Sequence, residues 1–411
     1  MAAKGTQSPL TICDLNDDVL ACIFGYLPLD DLDNLHRTCH RFRTVVRCYV
    51  YSRLSADLLR TGHRHRPEAR RDLFNFDYRK RISLEANWRQ GRYSEKYFFY
   101  HRLLYFPQII LERRWLYVTD QGQFRAHQRT PNGRMLLDRP TWTICSEKEP
   151  DINWVVKKKA RLFGGRSDGT CFLYDFNTRQ YRSEQLADDF ITAVDFEGQH
   201  FVYSTKTRST GFFTERDYED WRLEPKRIVG EAYQTIKLCP DGGARLAAGK
   251  YHDPDKSALR LIDVESGSTT QMESPSRAVY QLTWKDSNTI LTGNFDTTFR
   301  VVDTRTNKDE AVWVDPYDAS VYCLDYDGAN AVLCGMKYNF RVNLYDLRVP
   351  KRCVQMYFSS KNVSHYSPVY SLASDCSQLF VVTDHDLRIL NFDADSSQAK
   401  DYTSDLNTWL Y

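Results

Sequence analysis

Tyrosine recurs at one position of three short apolar segments in the C-terminal part of the chain. Tyr280, Tyr322 and Tyr370 each follow a valine directly, in the segments VYQLTW, VYCLDY and VYSLAS. Large rigid rings bind at a low entropy cost and dominate interface energetics, so tyrosines repeated in this way are typical of a protein-binding surface. The rings could equally cover the edges of β-structure, and the sequence leaves both interpretations open.

Residue patterns that would support catalysis are missing from the sequence. The 10 histidines are dispersed, and there is no glycine-rich phosphate loop, HExxH pair or nucleophile elbow. The 11 cysteines form neither a CxxC pair nor a Cys/His metal spacing. We therefore predict a non-catalytic protein with no metal or other cofactor, whose cysteines stay reduced inside the cell.

The tyrosines belong to segments that repeat as sets of short strands. The best example runs from Val321 to Asp346, with predicted strands at Val321–Tyr326, Ala331–Cys334 and Phe340–Tyr345. Similar segments precede and follow it, and their third strands end at intervals of about 40–45 residues, the period of a WD-type propeller with four strands per blade. An unrelated β-sandwich would give no reason for a common period.

Hairpin turns inside these repeats carry an acidic or amide residue at a fixed distance from the end of the third strand. The side chain can accept hydrogen bonds from turn amides and so hold the hairpin closed. The residues at this position are Asp168, Asp296, Asn339 and Asp384.

The repeats predict seven blades. Four lie before the tyrosine-bearing segments, at Gln108–His127, Ile152–Phe176, Ile191–Glu215 and Tyr233–Asp263. Because an open ring would leave sheet edges unpaired, we predict that Glu95–His101 forms the outermost strand of the last blade. The Trp-Asp and Gly-His pairs of typical repeats are replaced, so their hydrogen-bond network is absent or rebuilt, and apolar contact between blades carries more of the stability.

The first 54 residues have a helical pattern instead. Apolar side chains from Leu15 to Leu27 fall at three- and four-residue steps, and Asn16 is placed to cap the helix. About 40 residues of helix build only a small core. The apolar stripe therefore either packs on the rest of the chain or is completed by helices of another protein.

The segment DLNDDVLACIFGYLPLDDLDNLHRTCHRFR resembles an F-box. The matching positions are Leu15, Val19, Leu20, Ile23, Phe24, Leu27, Leu32, Leu35, Cys39 and Phe42. Asn16 stands where the pattern has proline, and Phe42 where it has tryptophan. Further on, NWRQGR is similar to the NWxxG signature at the junction of F-box/WD-repeat proteins, in which Trp88 would anchor the linker and Gly91 would turn the chain.

The order of F-box, junction and repeats resembles the F-box/WD-repeat family over nearly the whole chain. The resemblance implies a substrate receptor of an SCF-type ubiquitin ligase. The F-box positions named above would bind the Skp adaptor and, through it, the cullin–RING core, while the propeller would hold the protein to be ubiquitinated. Blade register places the predicted substrate-binding residues around the central channel, at Tyr280, Phe295, Tyr322, Tyr338 and Tyr370. The alternative is a WD-repeat scaffold whose N-terminal helices pack on its own propeller.

The sequence thus predicts a mainly β protein, a seven-bladed WD40-type β-propeller preceded by an all-α F-box and a helical spacer. The expected segments are a disordered N-terminus (1–9), the F-box (10–54), a basic helical spacer (55–93), the propeller (94–393) and a C-terminal tail (394–411). The 56 basic and 54 acidic residues nearly cancel, and no groove-reading motif accompanies the basic stretch at 60–92. We expect a cytoplasmic and/or nuclear protein without a membrane or nucleic-acid partner.

Overall fold

The computed structural model describes residues 11–62, 76–100, 107–130, 133, 135, 139–214, 225–358 and 367–393. The chain divides into two compact units, Met1–Ala86 and Asn87–Tyr411. The predicted disordered N-terminus and C-terminal tail lie outside the described residues, as do the arginines of the basic stretch between residues 63 and 75. Across the described ranges, no helix is both long enough and apolar enough to cross a membrane.

The first unit is helical. After a short 3-10 turn, α1 (Asp17–Phe24) begins where the Asn16 side chain accepts a hydrogen bond from the Val19 amide at 2.9 Å, the predicted N-cap. The other helical segments are α2 (Leu29–Thr38), α3 (His40–Val45), a π-helical turn (Val46–Val50), α4 (Tyr51–Ala56) and α5 (Tyr78–Gln90). The last residues of α5, from Asn87 onward, belong to the second unit.

The helical unit has its own core and its own polar links between helices. Phe24 and Phe42 meet edge to face, with ring centroids 5.1 Å apart. Asp33 of α2 accepts from the Tyr51 hydroxyl at 2.6 Å and pairs with Arg79 of α5, so residues expected in the spacer pack with the F-box helices. These contacts let a short helical segment fold without burying every apolar side chain that it carries.

The second unit contains seven four-stranded antiparallel sheets within its described residues, the blades of a β-propeller. The predicted fold and blade number are confirmed. The first strand of the unit is β1 (Ser94–Tyr100). Blades 1 to 3 consist of β2 (Ile109–Leu111), β3 (Trp115–Asp120), β4 (Gln123–Gln128), β5 (Trp142–Ile144), β6 (Ile152–Lys158), β7 (Arg161–Arg166), β8 (Thr170–Asp175), β9 (Tyr181–Gln185), β10 (Ile191–Glu197), β11 (His200–Thr205), β12 (Thr210–Thr214) and β13 (Pro225–Val229).

Blades 4 to 6 repeat the same up-and-down order, and blade 7 supplies only three consecutive strands of its own. The strands are β14 (Thr235–Leu238), β15 (Arg245–Gly249), β16 (Leu259–Asp263), β17 (Thr269–Gln271), β18 (Val279–Asp286), β19 (Thr289–Asn294), β20 (Thr298–Asp303), β21 (Lys308–Val314), β22 (Val321–Tyr326), β23 (Ala331–Met336), β24 (Arg341–Asp346), β25 (Cys353–Phe358), β26 (Ser371–Ser374), β27 (Gln378–Val382) and β28 (Asp386–Asn391).

Blade 7 is completed from the other end of the unit. Strand β1 pairs antiparallel with β28, from Ser94 opposite Asn391 to Tyr100 opposite Asp386. This confirms the predicted closing strand over 95–100, while His101 lies outside the described residues. Closure gives both outer edges partners that they would otherwise lack.

A group of buried aromatic rings, which we call the closure cluster (Trp88, Tyr93, Tyr357 and Phe392), supports this junction. The Trp88 ring stacks on Phe392 with centroids 3.6 Å apart, and its indole N–H donates to the Cys376 carbonyl at 2.8 Å. Gly91 has a φ of 63°, the left-handed conformation that glycine adopts without strain. The Asn-Trp-Gly signature therefore anchors the chain and turns it into β1.

Buried arginines rebuild the polar network that the missing Gly-His and Trp-Asp pairs would supply. In blade 6, Arg341 and Asp315 are both fully enclosed, with a nitrogen–oxygen distance of 2.7 Å, and Asn343 also donates to Asp315 at 2.8 Å. In blade 5, Arg300 contacts Asp296 at 2.6 Å. A buried charge is tolerated when it is paired and hydrogen-bonded in this way.

The predicted turn residues hold their hairpins by different means. Asp168 accepts from the Thr170 amide at 3.0 Å, as expected. Asp296 and Asp384 bond side-chain hydroxyl groups instead, and Asn339 adopts a left-handed φ of 66°. All four residues therefore lie at their turns. Among their described hydrogen bonds, only that of Asp168 is the predicted contact with a turn amide.

Candidate functional site

Helix α1 is apolar on two sides. Leu20 and Phe24 are 0% and 1% exposed within the core of the helical unit, whereas Val19 and Ile23 are each 41% exposed. Tyr26, just beyond the helix, is 91% exposed. A surface helix normally carries polar residues opposite its buried stripe. The outer face of α1, which we define as Val19, Cys22, Ile23 and Tyr26, has the composition of a protein-binding surface.

The ten predicted adaptor-binding residues do not form a single face. Leu20, Phe24 and Leu32 are buried in the core of the helical unit, and this part of the prediction is corrected because these residues present no surface to a partner. The sequence pattern could not distinguish buried from exposed positions, because the apolar residues of the core and those beside it form one continuous stripe. The remaining seven are exposed or half-buried: Leu15, Val19, Ile23, Leu27, Leu35, Cys39 and Phe42.

The five predicted substrate-binding residues come together on one side of the propeller. The Tyr280 ring lies 4.7 Å from that of Tyr322 and 6.0 Å from that of Phe295, and Tyr322 lies 5.8 Å from Tyr370. Tyr338 joins through its neighbour Lys337, whose Nζ is 4.9 Å from the Tyr338 ring centroid.

Tyr280, Tyr322 and Tyr370 occupy the same place in their repeats. The preceding residues Val279, Val321 and Val369 are buried at 0–1% exposure between blades. Tyr280 and Tyr322 lie at register shifts of β18 and β22, where the alternation of the strand is interrupted, and Tyr370 directly precedes β26. Tyr280, Tyr322 and Tyr370 therefore meet where the inner strands of blades 5, 6 and 7 converge.

The sequence prediction did not include two residues that contact these rings. Tyr251 lies in the loop between β15 and β16, with its ring 5.9 Å from Tyr280 and 65% of its surface exposed. Lys337 places its ammonium 5.9 Å from the Phe295 ring centroid. We use the name aromatic face for the set Tyr251, Tyr280, Phe295, Tyr322, Lys337, Tyr338 and Tyr370.

The aromatic face combines neutral phenols with one ammonium group. Burial, followed by the neighbouring Tyr322, raises the pKa of Tyr280. Burial also raises the pKa of Tyr370 and, against the opposing charge of Lys337, the pKa of Tyr322. A hydrogen bond with Tyr338 raises the pKa of Lys337. At neutral pH the phenols of Tyr280, Tyr322 and Tyr370 are therefore protonated and the lysine is charged.

The matching strand position in other blades is polar and is bonded to a neighbouring blade. The Asn153 amide donates to the Ile191 carbonyl at 3.1 Å, and the Thr192 hydroxyl donates to the Tyr233 carbonyl at 2.7 Å. We call this set the polar half: Gln108, Asn153, Thr192 and Gln234. This position is thus polar in four blades, where Asn153 and Thr192 bond the next blade, and carries a tyrosine ring in the other three.

Nothing in the described ranges gathers three or more His, Cys, Asp or Glu side chains in a metal-holding group. All 11 cysteines are free, and Cys13, Cys22, Cys39 and Cys48 of the helical unit are exposed. The surfaces that remain as candidate sites are the outer face of α1 and the aromatic face.

Comparisons with known proteins agree with this architecture. Residues 12–57 match the family model described as F-box-like. The chain is 25% identical over 399 residues to F-box/WD repeat-containing protein 4 of Mus musculus, covering 92% of each chain. It is 24% identical over 412 residues to the Homo sapiens protein of that name, covering 95% of each chain. The similarity to this protein, which is also called dactylin, extends over nearly the whole chain and confirms the resemblance to F-box/WD-repeat proteins.

Among solved structures, the chain resembles the computationally designed Ika8 protein with a TM-score of 0.51 and 15% identity. The match covers 69% of this chain and 82% of that one. At this identity the similarity concerns the fold alone.

Proposed function

Because this chain joins an F-box-like domain to a seven-bladed propeller, we propose that it is the substrate-recognition subunit of an SCF-type E3 ubiquitin ligase. The outer face of α1 binds the Skp adaptor and, through it, the cullin–RING core. The aromatic face holds the protein to be ubiquitinated. The chain performs no chemistry; it raises the effective concentration of target lysines near a charged ubiquitin-conjugating enzyme, in the cytoplasm or the nucleus.

The two-sided apolar character of α1 is the observation that carries the proposal. The helical unit buries Leu20 and Phe24 in its own core and leaves Val19 and Ile23 each 41% exposed. Removing such surface from water contributes about 25 cal/mol per Å² of apolar area. A partner that lays helices against this side would use residues that the fold itself does not need.

The start of α1 is held in place independently of that face. The Arg41 guanidinium donates to the Asp17 carboxylate at 2.9 Å and to the Cys13 carbonyl at 2.6 Å, which links α3 to the first turn. Asn16 caps the helix where the F-box pattern has proline. The outer face is therefore presented by a fixed helix, and a partner need not order it.

A pull-down with the purified Skp adaptor tests this half of the proposal. Val19→Asp combined with Ile23→Asp should eliminate the complex, because two carboxylates would be buried at an apolar interface. Both positions are exposed, so circular dichroism and the melting temperature should stay close to those of the wild type.

The matched control makes the same change elsewhere. Val314 and Val349 are 59% and 43% exposed on the propeller, and converting both to Asp should leave the adaptor bound. Leu20→Asp should instead unfold the helical unit, because that side chain is enclosed. Adaptor binding by the folded Val19→Asp, Ile23→Asp variant would show that the outer face of α1 is not the adaptor site. No binding by the wild type would contradict the proposed ligase role and favour a scaffold.

The aromatic face supports the substrate half of the proposal. Tyr251 and Phe295 are 65% and 44% exposed, while Tyr280, Tyr322 and Tyr370 form a half-buried floor of contacting rings beside them. Interface hot spots are enriched in such aromatic groups, set in a packed surround.

A further inference from the structure

Lys337 is the cation of the aromatic face, while the Asp384 carboxylate acts on Tyr370 at the other end of that face. Its Nζ lies 4.9 Å from the Tyr338 ring centroid and 5.9 Å from that of Phe295. Its charge also acts on the Tyr322 phenol, whose pKa it lowers against the effect of burial. The ammonium is therefore placed among rings, where water is partly displaced and electrostatic attraction is stronger than in bulk solvent.

Two cations of blade 4 have carboxylate partners. Lys250 contacts Glu231 at 3.4 Å, and Arg260 contacts Asp253 at 2.8 Å. Within the described part of the chain, by contrast, Lys337 has no carboxylate within 4.0 Å. Its Nζ lies instead against the Tyr338 ring, which carries no charge to balance that of the ammonium. A ligand can supply the counter-ion.

The charge selects among the ligand chemistries that rings can bind. A methylated or free ammonium group suits an aromatic cage, but here it would meet the like charge of Lys337. A phosphate carries a charge of about −1.5 to −2 and three acceptor oxygens, which suit a cluster of arginines better than one ammonium. A carboxylate carries a single charge, and its two oxygens can also accept hydrogen bonds from phenol hydroxyls.

Resting on the proposed substrate-receptor function, we propose that the aromatic face recognises an unmodified peptide segment in which an Asp or Glu side chain lies beside a large apolar side chain. The carboxylate pairs with the Lys337 ammonium and accepts a hydrogen bond from the Tyr322 or Tyr338 hydroxyl. The apolar side chain packs on Tyr280 and Phe295. Capture through this motif requires no phosphorylation of the target.

Selection of short random peptides displayed on phage, with the full-length chain as bait, tests the inference. Wild type, Lys337→Met and Lys337→Glu are selected in parallel. The matched control is Lys285→Met, because Lys285 is an exposed residue near the end of β18, the strand whose other end carries Tyr280. Lys337→Met keeps an unbranched side chain and removes only the charge.

We expect peptides from the wild type and from Lys285→Met to be enriched in Asp or Glu next to Phe, Trp or Leu. The acidic preference should disappear with Lys337→Met and turn into a preference for Lys or Arg with Lys337→Glu. A synthetic copy of a selected peptide should bind Lys337→Met about tenfold more weakly, as expected for an ion pair between the exposed and buried extremes. Replacing its acid by phosphoserine should not strengthen binding.

The outcomes separate this inference from the proposal beneath it. If peptides need Tyr322 and Tyr370 but show no acidic preference, or bind Lys337→Met as tightly as the wild type, the inference is wrong and the receptor function stands. Tighter binding of the phosphoserine peptide also overturns it. Peptides that bind equally well after Tyr322→Ala and Tyr370→Ala would place recognition elsewhere and contradict both.

Discussion

The propeller unit contains two groups of aromatic residues, the closure cluster and the aromatic face, which differ in how far their rings are buried. In the closure cluster, Trp88, Tyr357 and Phe392 are each 0% exposed, and Tyr93 is 2% exposed. In the aromatic face, Tyr251 and Phe295 keep 65% and 44% of their surface. Packing in the first group is complete and contributes to folding, whereas the second group retains ring surface that a ligand can cover.

The two groups also differ in the partners of their polar atoms. In the closure cluster the Tyr93 hydroxyl donates to the Phe358 carbonyl at 3.0 Å, and the Tyr357 hydroxyl donates to the Trp88 carbonyl at 2.7 Å. In the aromatic face the phenols interact with one another and with a lysine. Backbone partners fix a ring permanently, whereas side-chain partners can exchange for groups of a ligand. Burial and partner type together distinguish a structural ring from a binding ring.

The largest effect on stability is expected at the closure cluster. Trp88→Ala should lower the free energy of unfolding of the full chain by about 3–5 kcal/mol, because it leaves a cavity beside Phe392 and breaks the indole hydrogen bond. Denaturant titration measures this change. Tyr251→Ala, which removes an exposed ring, should change stability little. Equal losses for the two variants would remove the distinction between the clusters.

The largest effect on recognition is expected at the aromatic face. Tyr322→Ala together with Tyr370→Ala should abolish capture of substrate while adaptor binding persists, since hot-spot truncations cost about 2 kcal/mol or more each. Quantitative mass spectrometry of proteins retained by wild-type and variant chains measures the loss. Retention of the same proteins by the adaptor-bound variant would show that the proposed face is wrong.

A smaller and opposite effect is expected in the polar half. Asn153→Ala and Thr192→Ala remove hydrogen bonds between blades and should each cost about 1 kcal/mol of stability. Capture of substrate should be unchanged, because these side chains are already occupied by neighbouring carbonyls. Thermal unfolding and the same capture assay, run side by side, check both expectations. Loss of capture here would extend the binding surface round the whole ring.

The smallest effect concerns pH. Burial raises the pKa of Tyr280 and Tyr370 above the ordinary value of about 10, so the unfolded chain loses these protons first. The stability contributed by the neutral phenols is therefore complete below about pH 10 and declines as the pH rises beyond it. Tyr280→Phe should decline less steeply when unfolding free energies are measured across this range. An identical decline would mean that Tyr280 ionises as readily in the folded state as in the unfolded one.

Much of the fold was predictable because repetition constrains it. The common period located every blade, and the need to close a ring identified β1, although the pair β1–β28 joins residues far apart in sequence. The arginine networks were not foreseen. Arg341 lies in β24, whereas Asp315 lies in the connection after β21. Only the packed structure brings their side chains within 2.7 Å of each other.

The candidate sites were predicted in part, and the failures have physical causes. Tyr280, Tyr322 and Tyr370 each follow the first valine of an inner-strand segment in consecutive repeats, and this recurrence allowed them to be grouped from sequence alone. Tyr251 lies in an irregular loop whose course depends on the contact of Asp253 with Arg260 at 2.8 Å, and no periodic pattern reports it. In α1 the periodic pattern identified the apolar positions. Hydrophobicity alone could not predict which of these side chains would be buried in the core and which would stay exposed.

The pairing of β1 with β28 has a consequence for synthesis. A ribosome releases Ser94–Tyr100 long before it has translated Asp386–Asn391, so blade 7 stays incomplete until β28 has been made. The helical unit is complete by then. Under the proposed function, a product truncated between the helical unit and β28 would bind the adaptor without capturing substrate, and it should compete with the intact polypeptide.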